Sequence, residues 1–425
     1  MSEPQLIVEI AFPVGASTST YLQLDDTARG RLDTGTLAGD TTWVDVSQWV
    51  RAVSTRRGAS RTRTPILRFE PGTCTITLDN SDRRFDPTNM GGPYVGAGRT
   101  QVTPMRAVRI RAAWNGTTYN LFRGYADSWD ITWWDPNDAE AVVQCTDAFK
   151  VLANYDRTPV TPIGDGELSG ARVNRILDSV SWPPVDRLID TGDTVLQATK
   201  LEGDALGELQ LTADSDLGEL YVDGSGRIVF RGRFGVTTDD RSNTPQAVFG
   251  DAGDGIELPY NRDGLAISYD DEQLINVARI GRAGGTVQTV EDAGSQAQYM
   301  VRTFERTDLL MASDEDAASV ATWIISISKE PELRFDAITV SPDLDPDRMY
   351  PHVLGREIGD RITIIRRPPG GGAPIERDVW IRGITHESRP GHWRTTWSLQ
   401  SASKTLYFLK LDNPVTGQLD NYALA

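Results

Sequence analysis

Phe69-Glu-Pro-Gly-Thr-Cys-Thr-Ile-Thr-Leu-Asp-Asn-Ser-Asp-Arg-Arg-Phe-Asp-Pro87 decides how the rest of the chain is read. Cys74, Ile76 and Leu78 alternate with Thr73, Thr75, Thr77 and Asp79. The period is two and the polar positions are mostly β-branched, which predicts a strand with one face in a core. Asp79-Asn-Ser-Asp82 ends it in a turn, because short polar side chains bond to their own backbone. Pro87 then biases Asp86 toward an extended conformation.

The same reasoning extends outward. Residues 43–49 alternate, as do Val108, Ile110, Ala112 and Trp114 up to Asn115-Gly116, after which Thr117, Tyr119 and Leu121 return. Asn-Gly between two alternating runs predicts a two-residue hairpin. Residues 127–134 and 139–145 read as further strands, and Asp147 as the N-cap of a helical turn over 148–153.

The spacing Thr-x-Thr-x-x-Leu-Asp-Asn-x-Asp-x-Arg-Phe-Asp-Pro over residues 73–87 resembles the signature of minor tail proteins from long-tailed phages of Actinobacteria. More broadly it is similar to the tail-tip (baseplate) hub family. Met105-Arg-Ala-Val-Arg-Ile110 and Leu121-Phe-Arg-Gly124 match the same pattern. The resemblance is strongest over 43–153 and weakens through 205–410. It implies a mainly β chain with an α+β insert, in which two tail-tube-like barrel or sandwich domains flank smaller ones. It also implies a homotrimer whose two tube-like domains per chain make a six-lobed ring. The implied partners are the distal tail protein on one side and other minor tail proteins or fibres on the other. Viral double-stranded DNA would pass through the lumen, and the protein would sit at the virion tail tip after assembly in the host cytoplasm.

Composition is compatible with that reading. The chain has 425 residues, enough for two to four domains, and 39% of them are hydrophobic, which supports folded cores. Sixty acids against 43 lysines and arginines leave a net charge of −17. Such a chain is not a general nucleic-acid binder, since phosphate affinity comes from clustered basic groups. An acidic wall could still let a polyanion slide past. Met1-Ser-Glu-Pro-Gln lacks the basic start and apolar run of a secretory leader, and no apolar stretch is long enough for a membrane span. The two cysteines, Cys74 and Cys145, each fall in a strand. A disulfide stays open, and a pair of buried free thiols is the favoured reading.

Organisation follows from the breaks in pattern. Residues 1–155 form a first tube-like β block. Residues 156–255 form an α+β insert and linker, with a helical face at 173, 176, 177 and 180 and a hairpin over 220–230. Residues 256–410 form a second β block with one helix, entered at Ser313 through an acidic first turn and a capping box with Asp316. Residues 411–425 are an extended tail. No repeat at the level of letters joins the two blocks.

One stretch stands out in charge. Arg51, Arg56, Arg57, Arg61, Arg63 and Arg68 fall in 18 residues with no acid among them. Residues 56–63 read as an exposed loop, and Arg56, Arg57, Arg61 and Arg63 as an arm that docks on an acidic neighbouring ring. Trp133 and Trp134 occupy successive strand positions, so one should face outward as an interface anchor.

Enzyme signatures are weak. His352, His386 and His392 lack zinc-ligand spacing and read as structural. Asp214-x-Asp216-x-Gly218 fails as a calcium loop, and Asp343-x-Asp345-x-Asp347 reads as an acidic turn. Gly281-Arg-Ala-Gly-Gly285 is followed by strand-like residues, not a helix that would hold phosphate. No catalytic residue, metal or cofactor is expected, and the resemblance implies a structural virion protein acting as a gated tail-tip hub. The alternatives are a hexameric distal tail protein, or a tail lysin or carbohydrate-binding protein acting on the cell wall.

Overall fold

The computed structural model describes residues 3–12, 43–59, 64–96, 98–135, 138–155 and 164–402. Expectations for the loop 13–42 and the tail 411–425 lie outside the described residues.

The first β block contains β1 (Gln5–Ala11), β2 (Trp43–Asp45), β3 (Val50–Gly58) and β4 (Glu70–Asp79), the strand quoted first above. A small ribbon pairs β5 (Val95–Gly96) with β6 (Arg99–Thr100). Then come β7 (Ala107–Trp114), β8 (Thr117–Asp135), β9 (Asp138–Thr146) and helix α1 (Ala148–Ala153). In β4, Cys74, Ile76 and Leu78 are buried and Thr73, Thr75 and Thr77 turn outward, as the alternation predicts. Asn115 and Gly116 adopt φ of 47° and 82°. Two positive φ values in a two-residue loop are the conformation that Asn-Gly favours. Asp147 caps α1, its carboxylate accepting from the Phe149 N–H at 2.9 Å.

The insert is built from β10 (Glu167–Leu168), α2 (Ser169–Ser179), β11 (Arg187–Ile189), β12 (Val195–Leu196), α3 (Ala205–Asp216), β13 (Glu219–Val222) and β14 (Ile228–Arg231). Val173, Ile176 and Leu177 of α2 share a core with Leu209 of α3 and Phe149 and Leu152 of α1. The linker after it contains the short turns α4 (Gly235–Thr238) and α5 (Asp240–Asn243) and then strand β15 (Val248–Phe249).

The second β block opens with β16 (Leu265–Ser268) and is interrupted by β17 (Val277–Arg282), β18 (Gln288–Glu291), α6 (Ala293–Tyr299), β19 (Thr303–Leu309) and α7 (Asp314–Ser328). β17, β19 and α7 share their own core, in which Ala317, Val320, Ala321 and Ile324 of α7 cover Ala278 and Ile280 of β17, with Val290 of β18 packed against it. Ser313 caps α7 as expected: its hydroxyl accepts from the Asp316 N–H at 3.1 Å. The block resumes with β20 (Arg334–Val340), α8 (Pro346–Gly355), β21 (Arg361–Arg366), β22 (Ile375–Arg389) and β23 (His392–Ser401). The sequence reading passed over α6 and α8. Pro351 lies inside α8, and its buried face (Met349, Tyr350, Val353, Leu354) is fixed by packing that includes Tyr350 against Trp114 at 4.6 Å between ring centroids.

The fold is mainly β, dominated by one 13-stranded sheet in the order β16-β20-β23-β22-β3-β4-β9-β8-β7-β1-β2, with β21 and β15 branching from β22. The two β blocks therefore meet as one sheet: β22 bends past β21 and pairs its second half with β3, from Gly383↔Gly58 to Ser388↔Val53. Val53, Ile76 and Val143 share one core with Ile384, Trp397 and Leu399.

Within that sheet the strand order repeats. The first block runs β3-β4-β9-β8-β7-β1, and the second β16-β20-β23-β22-β21-β15. Matching strands follow in the same chain order. The one reversed pairing is parallel β15–β21 against antiparallel β1–β7.

Candidate assembly interface

Strand parity decides what each predicted interface residue can do. Arg56 and Arg57 are not in an exposed loop: both lie inside β3, between β4 and β22. Arg56 points outward and pairs with Glu70 across the ladder. Arg57 points into the core and is 3% exposed. A buried guanidinium needs partners for its donors. Its Nε donates to the Leu121 carbonyl at 2.8 Å and its Nη1 to Glu357 Oε1 at 2.6 Å. The absence of apolar letters around it suggested a loop, but pairing on both edges made the segment a strand. Arg61 and Arg63 fall outside the described residues.

Trp133 and Trp134 are both exposed, at 60% and 66%. The β8–β9 hairpin overhangs the end of β4, where Asp79 is opposite Glu140. Trp133, opposite Ala139, is on the core-side face beyond the last core residues. Trp134 is on the other face, its indole N–H 3.3 Å from Glu140 Oε2. Asp130, Asp135 and Asp138 flank the pair.

Charged contacts between units were not visible in the sequence. Buried Asp214 of α3 accepts from Arg68 Nη2 at 2.5 Å and from Arg306 Nη2 of β19 at 2.9 Å, so one carboxylate joins three units. Glu219 of β13 and Arg382 of β22 form a buried pair at 2.5 Å. Arg123 holds Asp186 at 2.9 Å. Asp216, the other acid of the rejected calcium loop, accepts from the backbone N–H groups of Asp193 and Thr194 at 3.0 and 2.6 Å.

The buried titratable groups show what burial and their neighbours do to them. His386 is buried, with Nδ1 2.8 Å from Thr395 Oγ1. Burial first, and Arg57 nearby, push its pKa down to about 3. Burial lowers His352 to about 4. Burial raises Asp147 to about 7, against two backbone N–H donors and the Arg57 charge. Cys74 and Cys145 are directly opposed across β4 and β9 and buried as free thiols. Among the described residues no cluster of three His, Cys, Asp or Glu could hold a metal ion, and no helix is long and apolar enough to cross a membrane.

No family model and no curated protein matches the chain. Solved structures do. The chain is similar to the tail protein from Neisseria meningitidis MC58, with a TM-score of 0.59 and 12% identity, over 95% of this chain and 99% of that one. It is also similar to the 43 kDa tail protein of prophage MuSo2 from Shewanella oneidensis, with a TM-score of 0.56 and 13% identity, again over 95% and 99%. At these identities the shared property is the fold, and it extends over nearly the whole length of all three chains.

Proposed function

We propose that this chain is a structural protein of a phage-type tail, acting at the tail tip as the hub that ends the tube and connects it to host-recognition proteins. The observation that carries the reading is the end-to-end likeness to two tail proteins. The repeated strand order supports the finer part. Two similar blocks in one chain let three copies imitate six, so a homotrimer can join a sixfold tube to threefold parts.

In this reading residues 1–155 and 256–410 carry the tube-like blocks and the distal tail protein docks on the ring. Other minor tail proteins or fibres bind its far side, and viral DNA leaves through the centre. A net charge of −17 suits a passage that must not retain a polyanion. Arg56, Arg61 and Arg63, together with Trp133 and Trp134, are the proposed contacts with neighbours. Arg57 is withdrawn from that set because its side chain is used inside the core.

The test is a subunit count on the purified full-length protein, by mass photometry and by images viewed down the ring axis. A particle of about three times the 46.8 kDa chain mass, with six lobes, is the expected result. Six copies per ring would indicate a distal tail protein instead, and a monomer at every concentration would overturn both.

A further inference from the structure

The joint between the two blocks has a counterpart that no strand fills among the described residues. In β22, Ile381 marks the point where the strand leaves β21: its N–H donates to the Asp360 carbonyl at 2.9 Å and its carbonyl accepts from Gly359 N–H at 2.8 Å. A bulge follows between Ile381 and Gly383, and the strand then pairs with β3. In β8, Ala126 does the same. Its N–H donates to the Arg106 carbonyl at 2.8 Å, its carbonyl accepts from Met105 N–H at 2.7 Å, and a bulge follows between Ala126 and Ser128. Beyond it, β8 has β9 on one edge and, among the described residues, no strand on the other.

The direction of the unpaired groups can be read from the ladder. The Ala139 carbonyl accepts from Asn80 N–H, so alternate residues 139, 141 and 143 of β9 turn to β4, and 140, 142 and 144 turn to β8. Their partners Thr132, Asp130 and Ser128 face back to β9. Trp129, Ile131 and Trp133 therefore direct their backbone groups to the open edge. On the other side of the repeat, β16 corresponds to β3 and ends the sheet. Gly264 carbonyl accepts from Thr339 N–H, so Leu265 and Ile267 direct their backbone groups away from β20. Ile267 and Tyr269 are exposed at this edge, as Trp133 is at the other.

We infer that the open edge of β8 is completed by β16 of a second copy of this chain, antiparallel, in the register that β3 and β22 use within one chain. That register follows from the repeat. Val53 pairs with Ile76, and Leu265 with Ile338. Since Val53 lies opposite Ser388, Leu265 lies opposite Trp133 of the second copy and Ile267 opposite its Ile131. Four apolar side chains then continue the core-side face across the junction, and two edges with no partner strand among the described residues are closed. The contact is head to tail, and repeated about a threefold axis it closes into the ring proposed above. This rests on the ring proposed above and supplies its contact.

The experiment uses the full chain carrying Trp133→Cys together with Leu265→Cys, mildly oxidised with diamide. The bonded peptides are mapped by mass spectrometry so that the native thiols are identified separately. The expected result is a 133–265 disulfide between copies, seen as covalent dimers and trimers. Ile131→Pro, which removes an N–H aimed at the open edge and no β8–β9 bond, is expected to weaken ring formation at least tenfold with the circular dichroism spectrum retained. Trp133→Lys gives a second variant with the same expectation, should proline disturb the strand. Trimers that form normally in both variants and yield no inter-copy 133–265 link would overturn this contact while leaving the hub reading intact. Failure of the wild-type chain to form any ring would overturn both.

Discussion

Arg57 and Glu357, 300 residues apart in sequence, form a 2.6 Å ion pair beneath the β3–β22 junction. The other carboxylate oxygen of Glu357 accepts from the Gly224 N–H at 3.3 Å, in the turn of the insert's hairpin. One buried guanidinium and one carboxylate thus tie both β blocks and the insert together.

Replacing Arg57 with Ala leaves Glu357 half-enclosed without its counter-charge. The expected loss is about 3 kcal/mol, measured by urea denaturation. Glu357→Gln should cost less, because Gln still accepts from Arg57. A double-mutant cycle should give a coupling on the order of 1 kcal/mol or more; strict additivity would show that the two side chains act independently.

Gly58 lies where the two blocks join. Its φ is 89°, and a Cβ there would sit 2.3 Å from the Arg382 carbonyl oxygen. Gly58→Ala is expected to destabilise by about 2 kcal/mol or more, through positive-φ strain and the clash together. An unchanged thermal midpoint would contradict the close approach.

Trp133→Ser with Trp134→Ser removes two exposed rings and little packing. Monomer stability should change by about 0.5 kcal/mol or less. Ring formation should fall markedly, which analytical ultracentrifugation of wild type and variant at matched concentrations would show.

His386 couples the core to pH. Its ordinary pKa is 6.5 and burial lowers it to about 3 in the folded chain. Below 6.5 the unfolded chain gains a proton that the folded chain refuses until about 3. The histidine's contribution is therefore present above 6.5 and is lost as the pH falls to 3, by up to about 1.4 kcal/mol per pH unit. His386→Gln lacks this contribution, so its stability deficit relative to wild type should shrink steadily across that window.

Cys74 and Cys145 should be silent to a thiol reagent in the folded protein and titrate as two thiols in denaturant. Both are buried, and the adjacent Cys74 thiol together with burial pushes Cys145 well above its usual pKa, so little thiolate is present to react. Rapid labelling without denaturant would show that β4 and β9 open locally.

Much of the fold was legible in local pattern. Alternation found β4, β7 and the return of that hairpin into β8, because a strand with one wet face must repeat every two residues. Asn115-Gly116, Asp147 and Ser313 were readable because turns and caps depend on residues only a few positions apart. The interface residues were less legible. Arg57 has the same letters around it as an exposed arginine, and nothing nearby announces Leu121 or Glu357. Helices α6 and α8 were missed, and α8 carries a proline that argues locally against it.

The sequence by itself determined the strands with one wet face, such as β4 and β7, and the turns and caps at Asn115-Gly116, Asp147 and Ser313, since those follow from periodicity and from bonds within a few residues. Only the tertiary structure decided that β22 crosses from its own block to β3 and that, among the described residues, β8 and β16 each have an edge with no strand on it. Sheet edges are joined by backbone N–H and carbonyl groups, which nearly every residue carries alike, so the choice of partner comes from the packing of distant cores and not from the letters along the strand.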